Sequence, residues 1–105
     1  MAQPIKRLGK NSKLENFAKG DHVEITGVAS SNQKENGRVV SKITMPVCEV
    51  NYATIVVAIK EEERIQIRTY FQSVTGVDEV TRRTYELGSQ KYTQVVKRFW
   101  RELAA

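Results

Sequence analysis

Thr54-Ile55-Val56-Val57-Ala58-Ile59-Lys60 is the run that decides the fold. β-Branched residues dominate it, and Ile55, Val57 and Ile59 fall on one face of an extended chain. Glu61, Glu62 and Glu63 follow, after which Ile65, Ile67, Thr69 and Phe71 alternate with Gln66, Arg68 and Tyr70. Two alternating runs with so short a polar link predict an antiparallel hairpin. Adjacent side chains at a hairpin tip diverge, so the three glutamates read as a solvated turn rather than a cation site.

Working toward the N-terminus, Val23 and Ile25 alternate with His22, Glu24 and Thr26, the pattern of a half-buried strand. Residues 27–37 read as a long polar loop ending in the turn former Asn36-Gly37. Val39, Ser41 and Ile43 then line one face of a second strand, which Pro46, lacking a ladder donor, limits to an edge or an end. Residues 1–18 show no sustained apolar period and are expected to form a flexible basic arm, pinned at most by Leu14 and Phe17.

Toward the C-terminus, Thr75-Gly76 marks a turn into a strand near residues 77–80, and residues 81–87 read equally as strand or helix. Ser89 is placed to cap a helix in which Tyr92, Val95, Val96, Phe99, Trp100 and Leu103 share one stripe. The stripe is expected to cover the sheet, leaving a solvated basic face. The predicted architecture is therefore mainly β with a C-terminal helix: an arm over 1–18, a small, strongly bent antiparallel β-barrel over 19–88, and an amphipathic helix over 89–105.

A chain of 105 residues holds one small domain. Its one cysteine, Cys48, forms no intramolecular disulfide and has no metal-ligand spacing around it, which fits a reducing compartment. No apolar run approaches the ~20 residues of a membrane span. The N-terminus lacks the apolar run of a secretory signal, and the expected location is the cytoplasm or an organelle interior.

The net charge of +5 is segregated. In residues 1–19, Lys6, Arg7, Lys10, Lys13 and Lys19 face only Glu15; in residues 82–105, Arg82, Arg83, Lys91, Lys97, Arg98 and Arg101 face Glu86 and Glu102. Each end nets +4, and the centre, with six bases and nine acids, nets −3. An anionic partner is thus expected to meet the two ends.

Reaction chemistry finds little support. One histidine and one cysteine leave few nucleophile–base pairs, and the parity of His22 predicts an exposed imidazole. Every acid reads as exposed, which disfavours paired-carboxylate hydrolysis. The glycines are too scattered for a phosphate-cradling loop. The prediction is a protein that is not an enzyme and carries no cofactor and no metal.

Lys19-Gly20-Asp21-His22-Val23-Glu24-Ile25-Thr26-Gly27, followed after a polar loop by Gly37-Arg38-Val39-Val40-Ser41-Lys42-Ile43, resembles the opening of a KOW-type small β-barrel. In that family a Gly-Asp turn enters a Val/Ile strand and a later Gly-x-Val starts the next, as Gly20, Asp21, Val23, Ile25, Gly37 and Val39 do here. An Sm-like barrel also suits a long bent sheet, although its helix usually comes first. The KOW resemblance implies contact with RNA, the ribosome, or the transcription and translation machinery.

The expected function is non-enzymatic binding of nucleic acid, RNA or DNA. Phosphate contacts would come from Lys6, Arg7, Lys10, Lys13, Arg82, Arg83, Lys97, Arg98 and Arg101, with Tyr52 and Tyr70 as outward aromatics for stacking on bases. The alternative is a protein-interaction or regulatory subunit docking on an acidic partner or a larger assembly through the barrel and helix.

Overall fold

A computed structural model describes residues 5–28 and 44–104. Six strands lie in one sheet in chain order: β1 (Ile5–Leu8), β2 (His22–Ile25), β3 (Thr44–Val50), β4 (Thr54–Lys60), β5 (Arg64–Ser73) and β6 (Gly76–Glu86). A short 3-10 turn (Leu14–Asn16) precedes β2, and one helix, α1 (Gln90–Ala104), ends the chain. β1 runs parallel to β2; every other neighbouring pair is antiparallel.

The predicted hairpin is β4–β5, and its register explains why the sheet is buried on both sides. Cross-strand partners share a face, and Ile55 stands opposite Tyr70, Val57 opposite Arg68 and Ile59 opposite Gln66. The two apolar stripes therefore point in opposite directions. Ile55, Val57 and Tyr70 join a main core, while Ala58 and Ile67 meet α1 with Cys48 and Phe99.

All six strands contribute to the main core, with Leu8, Val23, Met45, Val47, Ile55, Tyr70 and Val77 among its members. A flat sheet would separate β1 from β6 by roughly 24 Å, so the sheet curls. Bulges between Val47 and Glu49 and opposite Thr69–Tyr70 assist the bend. It is not closed into a barrel: among the described residues no ladder joins β1 to β6. One backbone bond, from the Val77 N–H to the Lys10 carbonyl at 2.8 Å, spans the seam.

That seam overturns the expectation of a flexible arm. Residues 5–8 form a strand, and Leu8, Leu14 and Phe17 are buried. Gln72 ties the segment down, accepting the Leu14 N–H at 2.9 Å and donating to the Ser12 carbonyl at 3.1 Å. With so few apolar residues the segment has no visible period, yet Leu8, Leu14 and Phe17 all enter the core, while Ile5 stays exposed.

Pro46 also departs from expectation, lying inside β3 opposite His22, with β3 in the middle of the sheet. The Val47 N–H bonds back to the Asp21 carbonyl at 2.7 Å, so by alternation the Pro46 nitrogen faces β4. The β3–β4 register begins only at Val47, and no donor is missed there. Residues 81–86 are strand. The expected strand over 38–43 and most of the loop before it lie outside the described residues.

Candidate nucleic-acid interface

Ser89 begins α1 as expected: its hydroxyl accepts the Tyr92 N–H at 3.2 Å, satisfying one of the unpaired donors of the first turn. Tyr92, Val95, Phe99 and Leu103 then define the inner line of the helix. At ~100° per residue, Glu102 lies about 60° to one side of that line and Trp100 about 100° to the other. The structure follows this geometry. Glu102 is 6% exposed, whereas Trp100, expected on the buried stripe, is 58% exposed. The backbone at Phe99, with φ −116° and ψ 23°, offsets the final turn.

Glu102 is the only acid of α1, and it meets the Lys19 ammonium at 3.5 Å. Its removal from the surface leaves the outer side of α1 entirely cationic. Lys91, Lys97, Arg98 and Arg101 are exposed there. The Arg101 guanidinium lies 5.3 Å from the centre of the Trp100 ring, a cation resting on an exposed indole. Arg98 reaches Glu49 on β3 at 3.2 Å and lies 5.1 Å from the Phe99 ring. Lys91 precedes Arg98 by two turns and shares its side of the helix.

Beneath Arg98 an open cleft of about 390 Å³ is lined by Lys19, Cys48, Glu49 and Phe99, among others. Burial pushes the Cys48 thiol up to about 12, so at neutral pH the floor of the cleft carries no thiolate. His22 is half-buried rather than exposed. Among the described residues no group of three or more His, Cys, Asp or Glu could hold a metal ion.

The remaining candidates separate. Lys6 is committed to structure: it bonds the Asp21 carboxylate at 2.8 Å and the Asn16 carbonyl at 3.0 Å, above the Phe17 ring. Burial alone would raise the Asp21 carboxyl, but the Lys6 ammonium and the Ala18 N–H hold it below its ordinary value. Arg7, Lys10 and Lys13 are exposed and make no ion pair among the described residues. Tyr52 is fully exposed in the β3–β4 loop.

Tyr70 and Arg82 do not fit the role expected of them. Tyr70 shares a face with Ile55 and is completely buried, which pushes its hydroxyl up to about 12. Arg82 grips Glu79 through two bonds, and that carboxylate raises its pKa further. Glu79 and Glu102 correct the expectation that every acid is exposed. Arg83, opposite Ile67 on β5, is exposed but far along the sheet from the N-terminal cations in register.

The chain matches no family model, no curated protein and no solved structure. The interface therefore stands on its own geometry. The expected contact residues omit Lys91, counted only in the net charge of its end, and Trp100, placed on the buried stripe; the seven-residue spacing of Lys91 and Arg98, and the angle of Trp100 from Phe99, are the signals that point to them.

Proposed function

We propose that the protein is a non-enzymatic nucleic-acid-binding module, with the outer side of α1 as its principal phosphate-contacting surface. The observation that carries this reading is the burial of Glu102, which leaves α1 with no exposed acid of its own: Lys97 and Arg101 lie beside the exposed indole, Lys91 lies on the other flank, and Arg98 is held by Glu49 of β3. Cations track a phosphate backbone, and an exposed aromatic stacks on unpaired bases whatever their sequence. Arg7, Lys10 and Lys13 supply further cations from the ordered N-terminal segment.

The acidic centre does not oppose this. Of its nine acids, Asp21, Glu49, Glu61 and Glu79 are neutralised in ion pairs, and Glu62 and Glu63 sit on the β4–β5 turn, away from the body of the sheet. The KOW-type kinship belongs to the same proposal. Gly20 at φ +94° and Asp21 lead into β2, which supports the first part of that resemblance; Gly37 and Val39, which carry the second, lie outside the described residues. No helix among the described residues is long and apolar enough to cross a membrane.

The test is a mobility shift and Trp100 fluorescence titration with single-stranded RNA at low salt. Binding with quenched emission is expected, and Trp100→Ala should weaken it by about tenfold, within the ~1–3 kcal/mol range of base–aromatic stacking. Unchanged migration and emission would overturn the proposal. A second reading, docking in a larger assembly, is favoured by Phe71, 41% exposed on the face of the sheet that carries α1. A stoichiometric protein partner lost on Phe71→Ser would support it.

A further inference from the structure

Among the described residues β6 ends the sheet, with β5 on one side and no strand on the other. Among the described residues the edge is used once, where the Val77 N–H donates to Lys10. That bond, and the Leu87 N–H bonded inward to the Glu63 carbonyl, fix the alternation: the backbone groups of Glu79, Arg82 and Thr84 point outward. An eleven-residue strand with such an edge is a template for another strand.

The charges along it say which strand. Asp78-Glu79-Val80-Thr81-Arg82-Arg83 reads as two acids, two neutral residues and two bases, which is complementary to itself when reversed. We propose that two copies of this chain join edge to edge through β6, antiparallel, about a two-fold axis between Val80 and Thr81. Glu79 then stands opposite the partner's Arg82, both with outward backbone groups, and Asp78 stands opposite the partner's Arg83; the pairing ends there, because the next outward N–H, that of Val77, is taken by Lys10 and the partner strand must leave the edge.

The side chains agree with this register. Glu79 and Arg82 already neutralise each other within the chain. Asp78 and Arg83 make no ion pair among the described residues, although Asp78, opposite Phe71, and Arg83, opposite Ile67, lie on the same face. The bulge at Val80 produces that agreement, because it shifts the parity of the strand by one. Shifting the partner by two residues would leave Asp78 opposite Tyr85 or Thr81. A parallel partner in register would set like charge against like. The two-fold also covers Val80, which is 58% exposed in the single chain. Arg83 therefore belongs to this interface and not to the cationic side of α1.

Sedimentation of the full chain up to high micromolar concentration tests the proposal. The wild-type protein is expected to reach twice its monomer mass. Asp78→Arg and Arg83→Asp should each remain monomeric, and an equimolar mixture of the two should dimerise, since each carries what the other lacks. The double variant Asp78→Arg/Arg83→Asp restores complementarity and should dimerise alone, which separates loss of pairing from loss of folding. A wild-type monomer at every concentration, single variants that associate like wild type, or a mixture that stays monomeric would each overturn the proposal. So would capture of a different extended chain on this edge in place of a second copy.

Discussion

The Arg82 guanidinium holds the Glu79 carboxylate by bonds of 2.7 Å and 2.9 Å across the bulge at Val80. The Tyr70 hydroxyl donates to the same carboxylate at 3.3 Å. Glu79 is 7% exposed at its side chain, so the pair acts in a partly dry setting where loss of one member strands the other. It locks the bend in β6 that brings Val77 back over the core.

Arg82→Ala should therefore cost about 3 kcal/mol of stability, in the range for breaking a buried pair. The measurement is urea unfolding followed by far-ultraviolet dichroism. The same variant, compared while folded, should bind single-stranded RNA as wild type does, because Arg82 serves Glu79. A cost within the range of surface pairs would contradict this account.

Gly76→Ala should break the seam. A Cβ there would stand 2.6 Å from the Lys10 carbonyl oxygen, and the residue sits at φ +127°, which a side chain rarely adopts. The expected cost is about 2 kcal/mol or more, with faster proteolysis in residues 9–13 than in the wild-type protein. Equal cleavage rates would show that the Lys10–Val77 bond does not hold the segment.

Cys48 should behave as an inert thiol. Its pKa, raised chiefly by burial to about 12, leaves almost no thiolate at pH ~8. A disulfide reagent should label the native protein slowly and the urea-unfolded protein at once. Rapid native labelling would place Cys48 in an accessible, ionisable setting.

Asp21 gives the fold an acid limb. Its folded pKa lies below the unfolded value of about 3.9, so its contribution is complete above that value and is lost as pH falls through the lowered one. Asp21→Asn should be less stable than wild type by about 1 kcal/mol at pH 7, and the gap should narrow as pH falls below the unfolded value and through the lowered one. A gap independent of pH would assign the effect to shape rather than charge.

How much of this was legible in the sequence follows from what each signal measures. Alternation found the β4–β5 hairpin and β2, because half-buried strands write their faces into the chain. It could not find that the stripes of Ile55 and Ile65 face opposite ways, since register is set between strands. That one ambiguity misplaced Tyr70. β1 has four residues, too few for a period, and it pairs in parallel with β2 across the intervening segment 9–21, so no hairpin signal marks it. Composition found the cations, but not which of them are spent: Lys6 and Arg82 are bound to acids at ranges a charge count ignores. Trp100 was misread for a different reason, because an apolar side chain at the margin of a helical stripe is free to lie outside it.

The most direct test of the central claim is the salt dependence of single-stranded RNA binding by wild type and by Lys97→Ala/Arg101→Ala, read by fluorescence anisotropy. Each phosphate neutralised contributes roughly 0.7 to the slope of log affinity against log salt, so removing both cations should flatten it by about 1.4. Slopes that coincide, or no binding by either protein at low salt, would contradict the assignment of α1 as the phosphate-contacting surface.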